Sequence, residues 1–289
     1  MRKGEWSPNG AKVNPQGVGF LESFRYCALA VKLGRVPLER ALSKLGIASR
    51  TEARAWILEG RVRVAGKVET DPLRAVIPER TQIDLDGEPA RQQEVFTIAL
   101  HKPRGLMTTR SDEKGRPTVY SLLTDIKRHL VPVGRLDFAT SGLILLTNDT
   151  RFSAWITEPA HEVPKLYLVS VRGEVSDESI RQIEKGVRVD SEGNASDDGE
   201  LLRARSVKIQ KSSQRETHLT VELIEGKNRE IRRIFKSLGH EVLRLKRISF
   251  GGIELGDLET GKWREVTREE LQKAFPGAPL RSSAVAGLS

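Results

Sequence analysis

The sequence predicts an α+β protein in two parts, a small helical module followed by a larger domain built on an extended mixed or antiparallel sheet. Three observations predict it. Residues 37–68 carry two short helical patterns followed by a hairpin pattern. Near Val95 the composition shifts to apolar, alternating segments of strand length with few helical stretches between them. The length, 289 residues, suits one large domain or a large domain with a small one.

The opening stretch, MRKGEWSPNGAKVNPQG, is rich in Gly, Pro and Asn and lacks the apolar core and cleavage site of a secretory leader. Residues 1–34 therefore read as a disordered extension, or as sequence upstream of the true start, and a cytoplasmic location is the default. Pro37 opens a helix with Leu38, Ala41, Leu42 and Leu45 at helical spacing, and Gly46 ends it. Ser49 and Glu52 form a capping-box pattern, in which each side chain can bond the other's free backbone N–H. The second helix turns Ala53, Trp56 and Ile57 inward and stops at Gly60. In RVRVAGKV, Val62 and Val64 alternate with Arg61 and Arg63, and the turn is read at Gly66-Lys67. Residues 81–87 close this module, set at 35–87, and GEPARQQE reads as a polar linker.

The larger domain is set at 95–275. FTIALHKP, LVPVGRLD, GLILLTND and KLYLVSVRGEV read as strands, with Lys165, Tyr167, Val169 and Val171 on one face of the last. A helix is capped by Ser176, SEGNASDDGE reads as a loop, and residues 218–224 form a strand. Gly226-Lys227-Asn228 leads into a basic helix, REIRRIFKSLG, stopped by Gly239, before strands around 242–248 and 263–266. Residues 276–289 read as a flexible tail.

Composition narrows the chemistry. One cysteine, Cys27, allows no internal disulfide and no cysteine zinc site, and the five histidines lack ligand spacing. They read as surface or packing residues. No apolar run approaches the ~20 residues of a membrane span. The net charge of +9 favours a polyanionic partner. The excess is concentrated in two segments, residues 35–67 and 224–247, each with eight Lys/Arg against three Asp/Glu. Two basic segments suggest two contacts with one nucleic acid; the bland alternative is solvated faces on a basic protein. Arg50 and Arg54, one helical turn apart, suit RNA phosphates.

One carboxylate stands out. In VGRLDFATSGLILLTND, Asp137 sits in a bend just before a nearly unbroken apolar run. Tyr167 is the aromatic on its alternating strand, and Arg232 in GKNREIRR faces away from Ile231 and Ile234. A carboxylate beside a guanidinium stays ionised and can act as nucleophile or base without a metal. An aromatic beside it can stack on an extruded nucleobase. Pattern alone cannot show that the three meet, and on pattern alone a turn-capping Asp137 is the stronger reading.

Two resemblances change that balance. LERALSKLGIASRTEARAWILEGRVRVAGK resembles the small alpha-L RNA-binding domain first seen in ribosomal small-subunit protein four. GRLDFATSGLILLTND, with HKPRGLMTT, GRPTVYSLL, KLYLVSV and EGKNREIRRIFKSLGHEVLRLKRISFG, resembles the RsuA/RluB/RluE/RluF family of ribosomal pseudouridine synthases over residues 37–271. Thr150 after Asp149 departs from the Gly the family often has there. The resemblance implies a pseudouridine synthase domain that detaches uracil from C1′ of its ribose, rotates it and rejoins it through C5, with no cofactor or metal. It makes Asp137 the catalytic residue, whether by acting at C1′ or by taking the 2′ proton. It assigns Tyr167 to the base pocket and proton removal, Arg232 to pairing with Asp137, and Arg135 to holding the opened RNA. Further RNA contacts are expected from Lys102, Arg104, Lys227, Asn228 and Arg229, and in the first module from Arg40, Arg50, Arg54, Arg61 and Arg63.

NREIRRI looks closer to the 23S branch of that family, RluB-like, than to the 16S branch, which implies a uridine of 23S rRNA near the peptidyl-transferase region. Ribosomal RNA is the expected partner and a monomer the expected state. The same reaction on 16S rRNA, or a non-catalytic ribosome-assembly protein, are the alternatives; a decayed copy should have lost Asp137, Tyr167 or Arg232. A DNA-binding regulator would need a recognition helix that the first module does not show.

Overall fold

The computed structural model describes residues 34–281, so the extension expected over 1–34 lies, Gly34 apart, outside the described residues. The chain divides into two units between Arg91 and Gln92.

The first unit runs β1 (Val36–Pro37), α1 (Leu38–Lys44), α2 (Arg50–Leu58), β2 (Val62–Val64), β3 (Lys67–Val68), β4 (Ala75–Val76), β5 (Ile83–Leu85) and β6 (Glu88–Pro89). Both capping-box bonds form: Glu52 N donates to Ser49 Oγ (3.1 Å) and Ser49 N to the Glu52 carboxylate (2.9 Å). The apolar residues read as helical stripes, Leu38, Leu42, Ala53 and Ile57, are fully buried with Val62. Trp56 is only partly buried, and the Arg61 guanidinium lies over its ring at 5.1 Å. The hairpin turn sits one residue earlier than the sequence suggests. Ala65 and Gly66 both take positive φ (50° and 77°), as a two-residue hairpin turn of matching twist requires. Glu88 and Pro89, read as linker, pair with β5.

The second unit contains β7 (Thr97–Lys102), β8 (Val131–Pro132), β9 (Ser141–Thr147), α3 (Thr150–Thr157), β10 (Lys165–Arg172) and α4 (Asp177–Lys185). Then follow β11 (Val187–Val189), β12 (Glu200–Leu202), β13 (Ser206–Ser212), β14 (Glu216–Leu223), α5 (Glu230–Ser237), β15 (Val242–Phe250), β16 (Ile253–Glu254), β17 (Trp263–Glu265) and α6 (Arg268–Ala274). The main sheet has the order β13-β14-β10-β15-β9-β7-β17. Its neighbours are antiparallel except β9 and β15, a parallel seam registered only at Ser141–Lys246 and Gly142–Arg247. The sheet is mixed, and the fold is α+β.

The run Leu143–Leu146 is buried throughout because β9 is covered on both faces. Ile144 and Leu146 enter one core cluster with Val169 and Val221, while Leu143 and Leu145 enter another with Phe152 and Phe250.

Two expectations fail. SEGNASDDGE is a loop up to Gly199, but the sequence reading misses the β11–β12 hairpin that it connects, and it misses β13, whose pattern is mostly exposed and polar. The flexible tail does not begin at residue 276. Ala278 and Leu280 pack on the second cluster, and Arg281, nearly buried, pairs with the fully buried carboxylate of Asp149 at 3.3 Å. A buried carboxylate needs a partner, and composition cannot reveal which distant cation supplies it.

Candidate active site at the parallel seam

The bend between β8 and β9 is held from behind, by its backbone. The Lys102 ammonium donates to the main-chain carbonyls of Pro103 (3.1 Å), Asp137 (3.1 Å) and Thr140 (2.8 Å). The Thr108 hydroxyl donates to Leu136 O (2.8 Å), and Thr140 N donates to Asp137 O (3.0 Å). Arg232 reaches across from α5 and donates to Ala139 O (3.3 Å) and to Val242 O (3.0 Å). The bonds that hold the bend thus fall on its main-chain atoms. Among the described residues the Asp137 carboxylate itself accepts no hydrogen bond. A turn-capping Asp would spend that carboxylate on a backbone N–H, and here the turn is closed without it.

The carboxylate faces a cavity of about 530 Å³ at the seam. Tyr167 forms part of its wall from β10, nearly buried, with no partner for its hydroxyl among the described residues. Arg135, Lys227 and Arg229 line it too, and the exposed Arg135 and Arg229 sit where a polyanion can reach them. Arg229 enters α5 with φ 48°, a left-handed conformation of the kind held at functional sites.

Several of the expected roles change. Arg232 makes no ion pair with Asp137; it acts on the bend through Ala139 O and influences the carboxylate only at longer range. Burial, then the charge of Arg229, lowers the Arg232 pKa, and Asp137 opposes that shift. Lys102 is not an RNA contact. It is fully buried on a strand covered on both faces, and burial brings its pKa down to about 8 against the attraction of Asp137. Lys227 is committed to Glu225 (2.8 Å) and Glu200 (3.6 Å) and to Leu201 O, so its charge is largely matched. Arg104 and Asn228 are exposed but do not line the cavity. The second basic segment is thus less a polyanion-binding face than expected, since Arg233 and Arg247 are buried.

In the first unit, Arg40 is exposed, and Arg63 is exposed with one bond to Gly66 O (3.2 Å). Arg50 and Arg54 both hold the buried Glu39 carboxylate, at 2.6 and 3.1 Å. Arg61 pairs with Asp86 at 2.6 Å.

Several cavity residues escape the sequence reading. Lys165, Glu230 and Arg247 line the floor with Phe250. The strand pattern puts Lys165 on the right face but attaches no role to it. Burial pushes the Glu230 carboxyl up to about 7, against the Lys227 amide it accepts from at 3.1 Å. Burial, then the nearby Arg247 charge, brings Lys165 down to about 8. The site therefore offers a free carboxylate at the mouth, an aromatic wall and a cationic floor. That suits a planar, anion-forming ring attached to a sugar.

Residues 96–237 match the family described as RNA pseudouridylate synthase, and residues 36–76 match the S4 domain. The chain is 36% identical over 237 residues to the ribosomal large subunit pseudouridine synthase B of Bacillus subtilis, covering 82% of this chain and 94% of that one. It is 36% identical to the protein of that name from Yersinia pestis, over 79% of this chain and 72% of that one. Identity to an uncharacterized RNA pseudouridine synthase of Aquifex aeolicus is 37%, over 85% and 96%. A solved structure described as a pseudouridylate synthase aligns with a TM-score of 0.56 at 25% identity, covering 83% of this chain and 99% of that one.

Proposed function

The chain belongs to the RNA pseudouridylate synthase family, and on that premise we propose that it isomerises a uridine of 23S ribosomal RNA, with Asp137 as the catalytic carboxylate. The observation that carries the assignment is the unpartnered Asp137 carboxylate facing a cavity it shares with Tyr167. The large-subunit substrate is supported by the names of the Bacillus subtilis and Yersinia pestis relatives.

In this reading the target nucleotide is extruded into the cavity, its ribose beside Asp137 and its base against Tyr167. Asp137 acts on the ribose, and the N1–C1′ bond breaks with its electron pair on the uracil. The freed base turns, C5 bonds to C1′, the C5 proton leaves and N1 gains one, so substrate and product are isomers. Lys102 and Arg232 fix the position of Asp137 through the bend's carbonyls. Arg135 and Arg229 meet RNA at the rim. The S4-type unit contributes affinity and positioning.

The test is pseudouridine mapping of ribosomal RNA from a strain lacking this chain. One 23S pseudouridine should be lost and restored by the wild-type gene. Loss of a 16S pseudouridine with 23S unchanged would overturn the substrate.

A further inference from the structure

Arg247 is 2% exposed at the floor of the cavity and makes no ion pair among the described residues. Its Nε donates to Leu143 O at 2.8 Å and its guanidinium lies 4.7 Å from the centre of the Phe250 ring. Its Nη2 is enclosed without any hydrogen-bond partner. A buried guanidinium is normally matched by a carboxylate, because an uncompensated charge away from water is costly. Here Nη2 is enclosed and unmatched, and Nη1, which makes no hydrogen bond among the described residues, is the nitrogen left to the cavity.

The sheet shows what it is open toward. Arg247 is the direct cross-strand partner of Tyr167, so both side chains stand on one face of adjacent strands. A bulge in β15 follows at once: Tyr167 pairs with Arg247 but Leu166 with Ser249, leaving Ile248 unpaired. That extra residue brings Phe250 onto the same side, where it also carries the Lys165 ammonium 5.5 Å from its ring centre. The cavity floor is therefore one aromatic ring flanked by two cations, beside the wall assigned to the base. Arg135 and Arg229 are exposed, where a backbone phosphate can meet them, whereas Arg247 is buried and can be met only by a group inserted into the cavity.

We propose that Arg247 is a catalytic residue that donates from Nη1 to a carbonyl oxygen of the uracil and holds the negative charge this ring carries while detached from the sugar. The inference rests on the proposed reaction and deepens it. Whichever way Asp137 acts, the N1–C1′ electron pair goes to the uracil and spreads over its ring and two carbonyl oxygens. A fixed donor in a water-poor floor stabilises such charge without reorganising. The same contact would keep the freed ring in the cavity while it turns.

The test compares Arg247→Met and Arg247→Lys with wild type in the full chain, using a 23S rRNA transcript under single-turnover conditions at saturating enzyme. One transcript carries uridine and a second carries 5-fluorouridine, whose fluorine itself stabilises the departing ring. C5 then has no proton to lose, so its C5-linked product keeps the fluorine and adds water across C6–N1, and loss of the target 5-fluorouridine is what is counted. Conversion of the target nucleoside is read by chromatography of digested RNA, with Kd and Tm measured in parallel. Arg247→Met should keep Kd within about twofold and lose roughly 100-fold in rate on uridine, the scale of removing one charge-stabilising donor. The loss should shrink at least about tenfold on 5-fluorouridine, where less stabilisation is needed. Arg247→Lys, which retains a cation, carries the same comparison if the Met variant fails to fold. A wild-type rate in folded Arg247→Met, an equal loss on both transcripts in whichever variant folds, or a raised Kd at unchanged rate overturns the assignment. If wild type itself converts no 23S uridine, the substrate reading fails and the inference falls with it.

Discussion

Asp137 presents a bare carboxylate because Lys102, Thr108, Thr140 and Arg232 hold the backbone around it and leave its side chain unused. Asp137→Asn is close to isosteric and removes no hydrogen bond of the folded chain. It does remove the charge that attracts the buried Lys102 and Arg232, so stability should fall, by no more than about 1 kcal/mol. Release of tritium from 5-³H-uridine rRNA should vanish while RNA affinity holds; wild-type-like release would refute the catalytic assignment. Glu230 makes a separate prediction about pH. Its folded pKa, about 7, lies above its ordinary 4.5, so the folded state keeps a proton that the unfolded state has released. Stability is therefore fullest below pH 4.5 and declines as pH rises to about 7. Glu230→Gln removes that decline, and the gain over wild type should grow with pH toward at most about 3 kcal/mol. Denaturant melts at pH 5 and pH 8 measure it, and a difference independent of pH would sink it.

At the scale of elements, the site depends on how closely β9 and β15 approach. Gly142 has φ +109°, and a Cβ there would lie 2.1 Å from Arg247 O. Gly142→Ala must therefore push the two strands apart or strain its own backbone, at a cost of about 3 kcal/mol. The same displacement moves the Asp137 bend relative to Arg247. Activity should fall much further than in a distant variant tuned to the same Tm, and equal activities in the two would remove the claim. This seam also marks the limit of what the sequence reveals. Local signals are readable: the Ser49–Glu52 box, the buried run before Thr147 and the basic helix all form as their neighbours dictate. Lys102 looks like a surface cation because nothing local shows that β7 is covered on both faces. Arg247 is invisible for a related reason, since its aim depends on a bulge whose register only the partner strand β10 defines. Arg232 does not pair with Asp137 because its guanidinium donates to Ala139 O, two residues further on, and to Val242 O.

Across the whole molecule the net charge of +9 overstates what is free to meet RNA, because many cations already have partners. In the S4-type unit the difference separates two arginine pairs that the sequence treats alike. Arg40 and Arg63 are exposed and make no ion pair among the described residues. Arg50 and Arg54 are also exposed, at 63% and 54%, but both close on Glu39, whose side chain is only 5% exposed. Neutralising Arg40 and Arg63 to Gln should leave melting unchanged and make the log–log salt dependence of RNA binding shallower by roughly 0.7–0.9 per lost phosphate contact. Turnover at saturating RNA should be unaffected, since neither residue belongs to the catalytic unit. Neutralising Arg50 and Arg54 instead strands a buried carboxylate, at a cost near the lower end of about 3–5 kcal/mol because water partly screens the pair. A small unit should lose much of its stability and hence most of its RNA affinity. The added substitution Glu39→Gln removes the stranded charge and should restore melting but not the full salt slope. If the Arg50/Arg54 variant melts like wild type, the buried carboxylate is not what those arginines serve, and both belong with Arg40 and Arg63 as phosphate contacts.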